Sequence, residues 1–555
     1  MNSLEDKPLI VQSDLTLMLE VHHKNSEAAR FDIIAFSELV KSPEHVHTYS
    51  ISALSLWNAS SAKISTDEVI KRLEKWSRYS LPESVLFFIK EMGGRFGSIK
   101  LVEYPKDPEY YLLTVDNQRY AKEILAHKAI SSLLISADGG FLVPRLKRGE
   151  LKVLLVKLNL PVEDLIPLNK GEPVDINFRE VSKRGSPFVL RDYQKMASDA
   201  LLGKGENGSG YGTIVLPCGS GKTIVGMEIL TRLKTRTLIL SINVAAVHQW
   251  IAEINDKLDI DENDVGEYSG MKKEIKPITV ATYQVLTWRN SKEDDFPHMK
   301  VLREGNWGLI IYDEVHMLPA PVFKVTAELQ AVYRVGLTAT LIREDKREDE
   351  VFSLVGPKRY DVPWSELENQ GWIAQAECIE VRVDLPQELE IPYAIAPKRE
   401  KYRIASENPN KIEIVKQLIE NHRHDYILII GQYINQLTAI AKELNLPLIT
   451  GSTPNNKRDE LYELFRSGKE PILVVSKVAN FAIDLPDASV AIQISGTFGS
   501  RQEEAQRLGR ILRPKKQNSY FYSLVTRYSA EEEFSANRQK FLAEQGYSYR
   551  VEVWP

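Results

Sequence analysis

One segment of the chain has the composition of a loop that binds phosphate groups. It runs Leu216-Pro217-Cys218-Gly219-Ser220-Gly221-Lys222-Thr223, between an apolar strand-like run and a helix-like pattern. Small residues let backbone N–H groups approach phosphate oxygens, and the N-terminus of the next helix adds a favourable dipole. Lys222 can neutralise the β and γ oxygens of a nucleotide, and the Thr223 hydroxyl can bind Mg²⁺. We interpret the segment as a nucleotide-binding loop. The strict pattern has glycine where this chain has Leu216, so a simple glycine-rich bend is the alternative.

Two adjacent carboxylates follow another strand-like run. Asp313 and Glu314 come directly after Leu309–Tyr312, at the carboxyl end of a strand, where open α/β sheets bind ligands. Phosphoryl transfer needs one group to hold the metal ion and another to polarise the attacking water. We expect Asp313 to bind Mg²⁺ together with Thr223, and Glu314 to act on the water. The alternative is that the two acidic residues simply begin a loop, as often happens after a strand. The presence of a phosphate-binding segment in the same chain favours the catalytic role.

A basic segment near the end of the chain could supply charge to a phosphate. Arg510 and Arg513 lie three residues apart, so on a helix they share a face. From a second domain, both could reach the γ-phosphate as arginine fingers. The alternative is the solvated basic end of a helix.

These residues require an α/β scaffold, and the hydrophobic pattern predicts one. Short β-branched runs alternate with helix-like segments from Gly212 onward, and a second such series begins near Tyr426. This alternation is typical of a parallel sheet covered by helices. We therefore predict two successive α/β domains. The predicted strands are Thr213–Leu216, Thr237–Leu240, Ile278–Ala281, Leu309–Tyr312, Val335–Leu337, Tyr426–Ile430, Pro471–Val475, Val490–Ile494 and Phe521–Val525.

The stretch from Pro386 to Pro409 separates the two series. Its four prolines argue against a helix or a strand, so we expect a linker or a small insertion. It also carries a basic cluster that could contact a nucleic-acid backbone, namely Lys398, Arg399, Lys401 and Arg403.

The first 140 residues have a different pattern, which predicts a smaller α+β domain. Helices are expected from about Thr66 to Trp76 and from Pro82 to Met92, followed by a hairpin of Ser98–Tyr104 and Tyr110–Val115. Helix, turn, helix and hairpin together suggest a winged-helix-like part. The second helix is apolar and carries little positive charge, so packing or partner docking is favoured over the recognition of a DNA groove.

Length and composition exclude several classes of protein. A chain of 555 residues exceeds the roughly 250–300 residues that one core supports. Only two cysteines occur, which excludes a disulfide framework and a four-cysteine metal site. The net charge of −5 means that nucleic-acid binding would need local basic grooves. No signal peptide or membrane-spanning run is found, and we expect a cytoplasmic protein without a membrane partner.

Taken in order, these segments resemble the motifs of superfamily 2 helicases. Within that group, the run from Thr338 to Asp345 and the segment Gly356-Pro357-Lys358 resemble the XPB family of DNA repair helicases. Asn408-Pro409-Asn410-Lys411 and Phe521–Val525 extend the resemblance towards the end of the chain, and Pro8-Leu9 extends it to the front.

The resemblance implies two RecA-like domains that close on ATP and Mg²⁺, with single-stranded DNA crossing both and movement in the 3′-to-5′ direction. It makes Gln194 the expected adenine contact and adds Asp484 and Gln506 to the ATP site. It assigns the triplet Arg343, Glu344 and Asp345 to strand separation. The expected ranges are 1–140 for the N-terminal domain, 141–185 for a connecting segment of damage-recognition type, 186–360 for the first helicase domain and 361–555 for the second, with a thumb-like insertion at about 386–408.

An ATP-dependent DNA helicase or translocase in DNA repair is therefore the favoured function. Its expected partners are single-stranded and forked DNA, with a repair nuclease as a candidate protein partner of the N-terminal domain. The alternatives are an RNA helicase and an ATP-driven switch that docks partners or moves along duplex DNA with little unwinding.

Overall fold

The structure is a computed structural model that divides into two compact units. The first comprises Met1–Val215 and Thr223–Asp361, and the second comprises Leu216–Lys222 and Val362–Pro555. It describes residues 7–41, 45–61, 63–166, 170–203, 210–217, 219–289, 291, 297–298, 305–315, 331–339, 355–362, 364–372, 376–476, 488–496, 519–544 and 548–554.

The chain begins with an antiparallel sheet covered by helices. The strands are β1 (Leu9–Val11), β2 (Thr16–Glu20), β3 (Glu38–Lys41) and β4 (Val46–Ser50), and the helices are α1 (Ser26–Ile33), α2 (Ala53–Ser61), α3 (Thr66–Trp76) and α4 (Glu83–Gly94). The sheet order is β1-β2-β4-β3, and its apolar face packs on the helices in one buried core. The predicted start of α3 is confirmed, because the Ser65 side chain caps the helix by accepting a hydrogen bond from the Glu68 amide.

A second small sheet follows, with its own core. Its strands are β5 (Ile99–Glu103), β6 (Tyr110–Val115), β7 (Ile135–Ala137), β8 (Gly140–Pro144) and β9 (Glu163–Asp164), and its helices are α5 (Gln118–Ala126), α6 (Lys128–Ser131) and α7 (Arg148–Lys157). The order is β7-β8-β6-β5-β9.

The predicted hairpin of β5 and β6 is confirmed, with Ile99 opposite Val115. It packs in the second core whereas α3 and α4 pack in the first, so the helices and the hairpin do not share the single core of a winged-helix unit. The boundary expected at residue 140 falls inside the hairpin of β7 and β8, where Ala137 pairs with Gly140. The division into the expected ranges otherwise stays a prediction.

A parallel sheet with helices occupies the rest of the first unit. Its strands are β11 (Tyr211–Val215), β12 (Thr237–Ser241), β14 (Val265–Tyr268), β15 (Ile278–Thr282), β16 (Leu309–Asp313), β17 (Tyr333–Thr338) and β18 (Lys358–Asp361), beside a short antiparallel pair of β10 (Asn177–Phe178) and β13 (Leu258–Asp259). The helices are α8 (Asp192–Leu202), α9 (Lys222–Leu233), α10 (Val244–Lys257) and α11 (Tyr283–Leu286).

All the strands predicted in this part of the chain are confirmed. The described strands run in the order β14-β15-β12-β16-β17-β11-β18, all in parallel pairs. Every residue of β12 and β15 is buried, as expected for strands covered on both faces.

The second unit contains the other parallel sheet, and this confirms the prediction of successive α/β domains. Its strands are β19 (Ala376–Val383), β20 (Ile427–Gly431), β21 (Leu448–Ile449), β22 (Ile472–Ser476), β23 (Val490–Gln493), β24 (Ser519–Thr526) and β25 (Ser548–Val553). The described order is β21-β22-β20-β23-β24-β19-β25, again in parallel pairs. Its helices are α12 (Trp364–Asn369), α13 (Gln387–Ile395), α14 (Lys398–Ser406), α15 (Lys411–Asn421), α16 (Ile434–Glu443), α17 (Asn455–Arg466) and α18 (Ala530–Glu544).

The proline-rich stretch forms α13 and α14, so the prediction of a segment without helix was wrong. Pro386 and Pro397 stand at the N-cap positions of these helices. A helix needs no N–H from the residue at that position, so proline there is compatible with the helix that follows. Pro392 lies inside α13. Throughout the described ranges, no helix combines the length and apolar character that crossing a membrane requires.

Candidate active site

The phosphate-binding segment links β11 to α9. Gly219 and Gly221 have φ angles of +79° and +84°, a region that residues with a Cβ atom enter at a cost. The Ser220 hydroxyl is buried and donates a hydrogen bond of 2.6 Å to the Pro217 carbonyl. The two glycines are therefore required by the backbone, as expected for a loop whose amides face a ligand. Cys218 lies outside the described residues.

The position at which the strict motif has glycine is occupied by Leu216, which is fully buried. Lys222 is the first residue of α9 and Thr223 the second. Both side chains therefore belong to the turn in which backbone N–H groups have no partner within the helix. A phosphate and its Mg²⁺ fit this position because the dipole of the helix favours negative charge there.

Asp313 is the last residue of β16, and hydrogen bonds fix its carboxylate. The Ser241 hydroxyl donates to Asp313 Oδ2 over 3.1 Å, and the Trp250 indole Nε1 donates to the same oxygen over 3.0 Å. The Tyr283 hydroxyl donates to the backbone carbonyl of Asp313 over 2.8 Å. Side chains from the end of β12, from α10 and from α11 therefore converge on one residue, and sequence reasoning found none of these partners.

Glu314 leaves the strand through an unusual backbone conformation. Its φ of +49° lies in the left-handed region, which costs free energy for a residue other than glycine, and strained residues of this kind cluster at active sites. Burial raises the pKa of the neighbouring Tyr283 phenol well above its ordinary value, and the negative charges of Asp313 and Glu314 add to this effect. Tyr283 therefore stays a hydrogen-bond donor over the whole physiological range.

The strands that precede the loop and the acidic pair end at one edge of the sheet. β11 and β16 both pair in parallel with β17, which lies between them. Their carboxyl ends therefore point the same way, so β11, which precedes the phosphate-binding segment, and β16, which ends at Asp313, finish at the same edge of the sheet. A crevice outside the carboxyl ends of parallel strands is where open α/β folds bind nucleotides.

Gln194 lies near the start of α8 and is almost completely buried. Its Oε1 accepts a hydrogen bond of 3.0 Å from the backbone N–H of Arg191, so the glutamine side chain caps the start of the helix. The cap holds the amide group of the side chain in one orientation. Its contact with adenine stays a prediction.

Comparison with known proteins identifies the family. Residues 367–553 match the family described as ERCC3/RAD25/XPB C-terminal helicase, residues 187–343 match the type III restriction enzyme res subunit, and residues 9–138 match a helicase conserved C-terminal domain. The chain is 48% identical to a protein of Mycobacterium tuberculosis named DNA 3'-5' helicase XPB, across 99% of this chain and 98% of that protein. This chain belongs to the XPB family.

Two other relatives show the breadth of the XPB family. A protein of Kineococcus radiotolerans, also named DNA 3'-5' helicase XPB, is 47% identical across 99% of this chain and 97% of its own length. The general transcription and DNA repair factor IIH helicase/translocase subunit XPB of Enterocytozoon bieneusi is 33% identical across 99% of this chain and 93% of its own length. The resemblance found in the sequence is therefore confirmed, and the two parallel-sheet domains are the tandem RecA-like domains that it implied.

The basic cluster assigned to DNA contact lies on α14. Lys398 and Arg399 occupy the first turn and are exposed. Arg403 is within 3.8 Å of Glu400 and 3.6 Å of Glu407, and the Lys401 ammonium lies 5.6 Å from the centre of the Tyr393 ring. In this XPB-family protein, the first-turn pair is therefore better placed for a partner than Lys401 and Arg403 are.

The remaining predicted site residues lie outside the described residues, and their roles stay predictions. They are Arg343, Glu344 and Asp345 of the strand-separation triplet, Asp484 and Gln506 of the ATP site, and the arginines Arg510 and Arg513.

Proposed function

We propose that this chain is an ATP-dependent DNA helicase that moves in the 3′-to-5′ direction and acts in DNA repair. The observation that carries this proposal is the near-complete match at 48% identity to a protein named DNA 3'-5' helicase XPB. The geometry of the first helicase sheet supports it, because β11, which precedes the phosphate-binding loop, and β16, which precedes the acidic pair, end at the same edge.

In this proposal, the Mg²⁺ of ATP would be held by Thr223 and Asp313. The phosphates would be held by Lys222. The bound metal ion supplies positive charge that offsets the charge developing on the phosphate oxygens. Lys222 compensates charge at the β and γ oxygens, and Asp313 presents a carboxylate whose direction is set by its hydrogen bonds. Glu314 polarises the attacking water by accepting its proton. Gln194 contacts adenine, and Asp484 and Gln506 contribute further contacts with ATP.

The second helicase domain completes the proposed cycle. Arg510 and Arg513 approach the γ-phosphate when the domains close, and hydrolysis allows the domains to part. The two domains then hold the DNA strand in turn, and the protein moves along it in steps. Arg343, Glu344 and Asp345 act where the strands separate, and Lys398 and Arg399 contribute contacts with the DNA backbone.

One experiment tests the function directly. ATP hydrolysis and strand separation are measured on DNA with a 3′ tail, with a 5′ tail and with blunt ends, and on matched RNA. The proposal expects hydrolysis stimulated by DNA more than by RNA, and unwinding only where a 3′ tail is present. Stimulation by RNA alone, or unwinding from a 5′ tail, contradicts it.

A duplex DNA translocase that unwinds little is the second candidate. It is favoured by the name of the Enterocytozoon bieneusi relative, which includes the word translocase. Its signature is displacement of a triplex-forming strand from blunt duplex DNA without unwinding of tailed substrates. A repair nuclease that docks on the N-terminal domain would extend either function.

A further inference from the structure

Trp250 occupies a position that packing alone does not explain. The side chain is 2% exposed, and its indole N–H donates to Asp313 Oδ2 over 3.0 Å. The Ser241 hydroxyl donates to the same oxygen over 3.1 Å. A carboxylate held by two donors on one oxygen cannot rotate about its Cβ–Cγ bond without losing a hydrogen bond, so the direction of the whole group is fixed.

The other end of the indole touches the helix that follows the phosphate loop. Gly226 lies in the interior of α9, where glycine is less favourable than alanine. A Cβ atom at this position would lie 2.7 Å from Trp250 Cη2 and 3.2 Å from Leu337 Cδ1. The close approach accounts for the glycine, and the indole spans the distance between α9 and Asp313.

The chemistry of the donor suits a carboxylate that binds a cation. An indole N–H is a neutral donor, so it orients Asp313 without cancelling its charge. A lysine or arginine in the same place would form an ion pair and compete with Mg²⁺. Partners that orient a metal ligand in this way commonly change metal affinity by about 10–100-fold when they are removed.

We propose that Trp250 is a positioning residue for Asp313, which sets the direction of this carboxylate towards the Mg²⁺ of bound nucleotide and ties it to α9. The proposal rests on the proposed function, since that function supplies the Mg²⁺-nucleotide complex. Trp250 touches neither the nucleotide nor the metal ion in this scheme. Its effect passes through Asp313.

The test measures nucleotide binding with and without the metal ion in the full chain. Trp250→Phe keeps an aromatic ring but removes the N–H donor. Affinity for a fluorescent ADP analogue is titrated in Mg²⁺ and again in EDTA, and binding of Mn²⁺ in the presence of ADP is followed by electron paramagnetic resonance. We expect Mn²⁺ affinity, and the gain in ADP affinity on adding Mg²⁺, to fall about tenfold. Affinity in EDTA should change less than about twofold.

Trp307→Phe is the matched control, because Trp307 is also 2% exposed and lies in the core of the same domain. It should lower the melting temperature while leaving the effect of Mg²⁺ on ADP affinity intact. Gly226→Ala is the second variant, since it displaces the indole while retaining its N–H group. It should reproduce the Mg²⁺-specific loss, and it tests the proposal if Trp250→Phe does not fold.

Two outcomes overturn the proposal. One is an unchanged Mg²⁺ effect in Trp250→Phe or in Gly226→Ala. The other is an equal loss of ADP affinity in Mg²⁺ and in EDTA, which would assign Trp250 to packing of the fold. Neither outcome depends on unwinding, so failure of this inference is distinguishable from failure of the helicase function, which shows in the unmutated chain as absent DNA-stimulated hydrolysis.

Discussion

Lys411 and Glu531 form an ion pair inside the second unit. The two side chains are 0% and 3% exposed, and Lys411 Nζ lies 2.8 Å from Glu531 Oε2. Lys411 Nζ also donates to the Ile494 carbonyl over 2.9 Å, and the Ser406 hydroxyl donates to Glu531 Oε1 over 3.0 Å. The pair joins the start of α15 to the start of α18. Buried charges are tolerated when they are paired and hydrogen-bonded in this way, but they become costly when one partner is lost.

Lys411→Met should therefore destabilise the second unit by about 3–5 kcal/mol, because it leaves the Glu531 carboxylate buried without its cation. The measurement is urea unfolding followed by circular dichroism. Lys411→Met combined with Glu531→Gln should recover much of that loss. A double variant as unstable as the single variant would show that the lysine stabilises the fold through its backbone contacts instead.

Lys222 and Glu314 have separable roles in the proposed hydrolysis. Lys222→Ala should weaken nucleotide affinity and lower hydrolysis by about 10²-fold or more, because charge compensation at the phosphates is lost. Glu314→Gln should leave nucleotide affinity nearly unchanged and lower turnover by about 10²–10⁴-fold, since the amide cannot accept the proton of the water. Titration with a fluorescent ATP analogue and steady-state hydrolysis distinguish the two. Turnover close to normal in Glu314→Gln would contradict its assignment.

At the level of elements, α14 presents its basic residues unequally. Arg403 has Glu400 and Glu407 beside it, whereas Lys398 and Arg399 lie in the exposed first turn. The first turn is also where basic residues oppose the helix dipole. Stability of the helix therefore does not explain their position, and contact with an anionic partner remains the favoured interpretation.

Replacing Lys398 and Arg399 together by Gln should weaken binding to single-stranded DNA and make it less dependent on salt. The slope of log affinity against log salt concentration is negative. Each lost phosphate contact makes it shallower by about 0.7, so loss of both contacts should make it shallower by about 1.4. Arg403→Gln on the same helix is the control and should change the slope less. Fluorescence anisotropy over a salt series gives both values, and an unchanged slope in the double variant would remove this turn from the DNA-contact surface.

The sequence pattern predicts those strands that their own residues identify, without knowledge of distant contacts. Buried strands such as β12 and β16 are continuous apolar runs, so their composition alone identifies them. β18 was missed because Lys358-Arg359-Tyr360-Asp361 has the composition of a loop. Its basic side chains are buried nevertheless, since they donate hydrogen bonds to carbonyl groups far away in the sequence.

In the candidate site, too, only features with a local sequence pattern could be predicted. The phosphate-binding loop and the acidic pair have such patterns. The hydrogen bond between Trp250 and Asp313 joins residues 63 positions apart, and nothing in the surrounding sequence marks the tryptophan as more than core. Cooperation between distant side chains requires the fold to be known.

At the scale of the whole molecule, the N-terminal sheet packs against the edge of the first helicase sheet. Arg359 on β18 is buried and donates to the carbonyls of Ile34 and Tyr211. Lys358 Nζ donates to the Val40 carbonyl over 3.3 Å. A Cβ atom at Gly212 would collide with Arg359 Cγ, so the glycine makes room for the arginine. The N-terminal domain therefore covers an edge strand that would otherwise expose its unpaired backbone groups.

We expect His47 to make this interface sensitive to pH. Burial on β4 lowers the pKa of its imidazole to about 4, and the nearby positive charges of Arg30 and Lys358 act in the same direction, whereas Asp361 opposes them. The ordinary pKa of histidine is about 6.5. Between these two values the unfolded chain binds a proton that the folded chain does not, so the contribution of His47 to stability falls as the pH falls from about 6.5 towards 4.

His47→Gln should therefore flatten the pH dependence of stability in that window, because the amide cannot take up the proton. Urea midpoints are measured at several pH values between 7.5 and 4.5 for the unmutated chain, His47→Gln and His424→Gln, the last being the control because His424 is exposed. Carboxylates also titrate towards the lower end of this range, and comparing the variants at each pH cancels their shared effect. The unmutated chain and the His424 variant should lose stability in parallel on acidification, while His47→Gln loses less. Parallel loss in all three proteins would mean that His47 is protonated within the folded interface, and the buried contact with β18 would then have to tolerate a third positive charge beside Arg30 and Lys358.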